Sequence, residues 1–279
     1  MRGRREERKR RDNAKRGPAA LTLTCALWAA ACGGGAREPE ASPTPDERTA
    51  VEAAVRGYFG AIADDDHGGK VRFSSGELNV LADWELMVSL SFGSALAELQ
   101  IDRLEIEEIR ADSATADFSA ELRLSGFQAD PPTVFSGPIT LAREPEGWKV
   151  VDYLRDGRPQ SASIHTDVRG GQERGGVTVE VRGVHLQANA ILVVLEATNT
   201  TSEAFTLVPA SIVAEDGRHL EFGEPSATQR AVLPSSPLVT YVYWSGRSLP
   251  EDTTSFRLLL DFTGPSGGLS FDIPVELLD

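Results

Sequence analysis

Cysteine is nearly absent from this chain: there are two in 279 residues, Cys25 and Cys32. Both fall within the first 32 positions, so residues 33–279 hold no intramolecular disulfide, no thiol nucleophile and no cysteine metal site. A fold beyond them must be held by apolar burial, for which the length suffices. Histidine is scarce too, with His67, His165, His185 and His219 too far apart in sequence to form a paired metal motif. No His-Glu-Xaa-Xaa-His pair, Gly-Xaa-Ser-Xaa-Gly elbow or phosphate-binding glycine loop occurs, and no metal or cofactor is expected. These absences favour a noncatalytic protein without deciding it. The run 19–31, which lacks charge, is shorter than the roughly 20 apolar residues that a hydrocarbon layer of about 30 Å requires.

The amino terminus is strongly patterned. Residues 1–16 carry nine Lys/Arg against Glu6, Glu7 and Asp12, and the uncharged run follows. A basic head before a short apolar run predicts a secretion signal over 1–31. Ala29-Ala30-Ala31-Cys32 resembles the lipobox of bacterial lipoproteins, with Ala29 where leucine is commonest. The resemblance implies cleavage before Cys32 and acylation of its thiol. The first partner would then be a lipid bilayer, since two or more acyl chains at about 0.8 kcal/mol per buried CH2 give stable anchoring. The implied location is extracytoplasmic, tied to a bacterial membrane by lipid. Removing the leader's nine basic and three acidic residues from totals of 28 and 42 leaves 19 and 39, a formal charge near −20. Such an acidic protein is a poor partner for nucleic acid.

Beyond Cys32, residues 32–47 contain no apolar side chain larger than alanine or proline and read as a flexible tether. An α+β domain is expected over 48–160. Thr44, Pro45 and Glu47 spell a capping box, and Val51, Val55, Tyr58, Phe59 and Ile62 form a helical apolar stripe ending near the turn Asp64–Gly69. A second helix is predicted around 76–90. The period then becomes two, with strands near 104–111, 116–124, 134–143 and 147–154. Residues 161–176, rich in glycine and polar groups, read as a linker. An all-β domain follows over 177–279, with strands at 177–181, 191–195, 204–208, 211–215, 218–222, 238–244, 254–262 and 270–276.

Tyr58-Phe59-Gly60-Ala61-Ile62 and Gly147-Trp148-Lys149-Val150-Val151-Asp152-Tyr153 resemble the first helix and last strand of the nuclear transport factor two-like, cystatin-like cone fold. That resemblance covers roughly 48–156 and implies a helix lying in the concavity of a curved antiparallel sheet, with room for a pocket. Ala190–Asn199, Ala214–His219 and Ser255–Phe262 resemble the immunoglobulin-like β-sandwich of bacterial surface lipoproteins, over about 165–279 and without the cysteine pair of antibody domains. Modules of that kind usually make contacts or act as spacers.

Candidate sites are few. Asp152 shares strand parity with Trp148, Val150 and Leu154 and could enter a pocket as a base of raised pKa. Asp117 alternates with an apolar set and should face water. Asp64, Asp65, Asp66 and His67 are cation candidates, although adjacent acids lack the offsets of a calcium loop. At a helix carboxyl end, a protonated His67 would be favoured. Tyr241, Tyr243 and Trp244 crowd one strand and form a candidate partner surface. The leading expectation is a noncatalytic, membrane-anchored lipoprotein that binds an envelope protein or small ligand, or organises the envelope. One alternative is a small-molecule-binding or enzymatic cone domain with a sandwich spacer. The other is a purely structural spacer.

Overall fold

The computed structural model describes residues 44–89, 97–124, 132–155, 157–188, 190–225, 230–250 and 252–278. Cys32, the leader and the tether as far as residue 43 lie outside the described residues.

Thr44 opens helix α1 (Pro45–Ala63) with the expected capping box: its hydroxyl accepts the Glu47 N–H while the Glu47 carboxylate accepts the Thr44 N–H. The apolar stripe then buries Val51, Val55, Tyr58 and Phe59. Asp64 caps the carboxyl end, and the left-handed Asp65 turns the chain. A second helix, α2 (His67–Phe73), starts at once, capped by Asp66, whose Oδ1 accepts the Gly69 N–H at 2.9 Å. The sequence reading placed a turn there. The two glycines of His67-Gly68-Gly69 disfavour helix, and the Asp66 cap together with the pairing of Lys70 to Glu85 overrides that preference. Helix α3 (Gly76–Ser89) matches the second expected helix.

Five antiparallel strands follow in spatial order: β1 (Ala97–Ile109), β2 (Ser113–Leu124), β3 (Thr133–Glu144), β4 (Gly147–Arg155) and β5 (Arg158–Pro159). The helices cover this sheet. Phe59 sits at the centre of the packing, 4.3 Å from the Phe118 ring, 5.1 Å from Phe135 and 5.3 Å from Tyr153. Such ring pairs add about 0.5–1.5 kcal/mol each beyond area burial.

The remaining strands form one hydrogen-bonded network of twelve. They are β6 (Ile164–His165), β7 (Val168–Arg169), β8 (Gly171–Arg174), β9 (Val177–Gln187), β10 (Ala190–Asn199) and β11 (Phe205–Leu207). Then come β12 (Ala210–Ala214), β13 (His219–Pro225), β14 (Ala231–Val232), β15 (Leu238–Ser245), β16 (Ser255–Gly264) and β17 (Gly267–Leu277). β13 is the joint of the network: its first residues pair with β12, and Glu224 and Pro225 pair with β15. The stretch expected as a linker is stitched into the sheets instead. β7 pairs with β17 and β8 with β9, because the polar segment's backbone groups are satisfied by ladder bonds along neighbouring strands.

Two apolar cores result. One lies within the β part and includes Val177, Ile191, Val193, Trp244, Leu258 and Ile273. The other lies beneath the helices, yet it also takes Ile164, Leu192, Val194 and Tyr241 from the β part. The continuous apolar run of β10 follows from this. Ile191 and Val193 serve one core, and Leu192 and Val194 serve the other.

Candidate functional site

Two β-bulges decide which side chains meet where the helices, the first sheet and β9 come together. On β4, Val150 pairs with Leu141 and Asp152 with Thr140, so Val151 is an extra residue. On β9, Val181 pairs with Leu195 and Gly183 with Val194, so Arg182 is extra. An extra residue inverts the alternation beyond it. Tyr153 and Arg155 therefore follow the inward Val150, while Gly183, His185 and Gln187 turn from the β core toward the helices. Gly183 is required by close approach, since a Cβ there would stand 2.2 Å from the Trp84 ring of α3.

These side chains border a partly enclosed cavity of about 80 Å3. Its apolar wall includes Ile62, Leu78, Leu81 and Leu122. The polar groups are Tyr58, Lys70, Glu85, Tyr153, Arg155 and Gln160, together with His185 and Gln187. Lys70, nearly buried, donates to Glu85 Oε2 at 2.8 Å. Breaking one partner of such a pair is costly because it strands the other charge. Burial holds both tyrosine hydroxyls protonated, raising Tyr58 and Tyr153 well above the usual phenol range. Burial, with Arg155 and His165 nearby, pushes His185 down to about 3, so its ring is neutral. Gln160 Nε2 donates to Ser163 Oγ at 2.9 Å and stands 2.9 Å from His185 Nε2. Gln187 Nε2 stands 3.3 Å from His185 Nδ1.

Asp152 does not border this cavity. The Val151 bulge turns it away, and its oxygens accept from Ser161 N at 3.0 Å, Ser161 Oγ at 2.7 Å and Tyr153 N at 2.9 Å. It pins the turn after β5 and is committed there. Asp117 pairs with Arg103 at 3.0 Å.

The cation candidates are likewise taken by local structure. Asp64 and Asp66 cap helices, and Asp65 Oδ1 lies 3.0 Å from His67 Nε2 without hydrogen-bond alignment. His67 starts α2 rather than ending α1, so the helix dipole does not favour its charge there. Desolvation first, and Lys70 second, lower its pKa. Among the described residues, no group of three or more His, Cys, Asp or Glu is arranged to hold a metal ion. Tyr241 and Trp244 are buried and Tyr243 is partly so, which removes the expected partner surface: alternate residues of β15 face two different cores.

The sequence reading missed Lys70, Glu85, Arg155, Gln160, His185 and Gln187. One signal was available: Glu85 recurs at helical spacing with Leu78, Leu81 and Ala82, a charge placed on an apolar stripe. No helix among the described residues is long and apolar enough to cross a membrane. No protein-family model matches the chain and no curated protein matches it, so the chemistry of the cavity is read from its own residues.

Proposed function

We propose that the chain is a membrane-anchored extracytoplasmic lipoprotein whose head binds a small ligand and performs no catalysis. In this reading the head is a cone-like α+β half followed by an immunoglobulin-like β-sandwich. Support for the cone is the packing of Phe59 of α1 against rings from β2, β3 and β4. Support for the sandwich is a core shared by strands on both sides of β13. The anchor is argued from the basic head, the uncharged run and Cys32.

The observation that carries the binding role is the polar cavity built jointly by the two halves. Among its lining residues the only carboxylate, Glu85, is held by Lys70 at 2.8 Å. The commonest general bases, imidazole and carboxylate, must be free to take a proton. Glu85 is paired, and each ring nitrogen of His185 faces a glutamine amide nitrogen. Binding without turnover is what such an arrangement suits.

Intact mass of protein extracted from membranes tests the anchor. The expected species starts at Cys32 and carries acyl chains, and Cys32→Ala releases the protein from the membrane fraction. A start elsewhere, or an unmodified Cys32, overturns it.

A further inference from the structure

The charge within the cavity is unbalanced. Lys70 and Glu85 cancel at 2.8 Å, and His185 is neutral. That leaves Arg155, whose half-buried side chain has no carboxylate within ion-pair distance among the described residues. Arg155 lines the cavity together with Tyr153 and His185, and its charge acts on both. Among the residues that line the cavity the formal charges sum to one positive, with Asp65 Oδ1 3.9 Å from Lys70 Nζ behind them. A dianion would face Glu85 with too little compensation, whereas a monoanion balances the site.

Size narrows the class further. A cavity of about 80 Å3 has room for about five to eight waters at roughly 10–15 Å3 each, so the occupant has few heavy atoms. The lining supplies donors from Arg155 and Gln187 and aliphatic side chains from α1, α3 and β2. We propose that this cavity binds a small monocarboxylate, its carboxylate held by the Arg155 guanidinium and its short aliphatic end against Ile62, Leu78 and Leu122. A planar carboxylate matches the fork of N–H donors that guanidinium presents. The proposal rests on reading the head as a binding module and is independent of the anchor.

The test uses the full chain in detergent, with sodium propionate as probe. Thermal unfolding is followed against propionamide, sodium chloride at matched ionic strength, and dianionic phosphate. A ligand bound only by the folded state raises the midpoint in proportion to its occupancy. Propionate should raise the midpoint and the three controls should not match it. Arg155→Gln, checked for native circular dichroism, should weaken propionate about 30-fold or more, in keeping with loss of a charged hydrogen-bond pair. Glu85→Gln removes the opposing carboxylate and should tighten propionate at least about threefold. Equal midpoints with propionate and chloride would mean a cavity holding water only, and would overturn the proposal. So would unchanged binding in folded Arg155→Gln, or no tightening in a Glu85→Gln variant that keeps native circular dichroism. Conversion of propionate, seen by proton NMR, would leave the site standing and sink the noncatalytic reading instead.

Discussion

β16 and β9 are long antiparallel strands of one network, and they use alternation differently. In β16, Phe256, Leu258, Leu260 and Phe262 are all buried on one side, while Arg257 and Asp261 are exposed. In β9, Val177, Val179 and Val181 keep the same rhythm until Arg182 interrupts it. Beyond the bulge, Val184 belongs to the β core, and Gly183, His185 and Gln187 face the helices. A regular strand serves one core, and a bulged strand can serve a core and a cavity in succession. The bulge is thus the local device that brings polar groups into an otherwise apolar junction.

The largest effect should come from deleting Arg182, which makes β9 as regular as β16. One end of the strand must then invert, sending either His185 and Gln187 into the β core or the three valines into water. Each buried polar group left without its partner costs about 1–3 kcal/mol, and exposing the valines costs a similar amount per side chain. Loss of cooperative urea unfolding is the expected outcome. A deletion variant with wild-type stability would show that the strand does not need its extra residue.

Trp84→Ala should come next, since it empties the ring that covers Gly183 and should cost roughly 3–5 kcal/mol. The comparison is Leu258→Ala in the regular strand, expected within about 2–5 kcal/mol. Trp84→Ala should also abolish any propionate stabilisation, whereas Leu258→Ala should leave it. Urea midpoints with and without propionate separate the two.

The smallest effect is in pH dependence. Unfolded histidine takes up a proton below about 6.5, but buried His185 does so only near about 3. Between those values the unfolded chain binds more protons, so stability falls as pH drops and is unaffected by this group above 6.5. From pH 6.5 to pH 5 the loss should be about 2 kcal/mol, with His67, also lowered, adding in the same direction. His185→Gln should flatten most of that slope in urea titrations at successive pH values. A slope unchanged by the substitution would place the titrating group elsewhere.

Much of the fold was legible because it rests on local rules. The capping box at Thr44, the stripe from Val51 to Phe59 and the alternation of β2 and β16 each follow from spacing within a few residues. Glycines hid α2, and parity along β4 left the face of Asp152 open, which the bulge at Val151 decides by putting Tyr153 inside. The aromatics of β15 read first as core, and a partner surface stayed open beside that reading because nothing in their own segment shows that a second core covers the outer face.

By itself, then, the sequence determined the helical beginning, the run of antiparallel strands and the exclusion of disulfides from residues 33–279. Only the tertiary structure decided that Lys70, Glu85, Arg155 and His185 share one cavity. They lie as much as 115 positions apart, and their meeting depends on two single-residue bulges whose effect is a change of side-chain direction. Spacing rules read neighbours along the chain, whereas a site of this kind is made by which way a strand's faces point once both of them are buried.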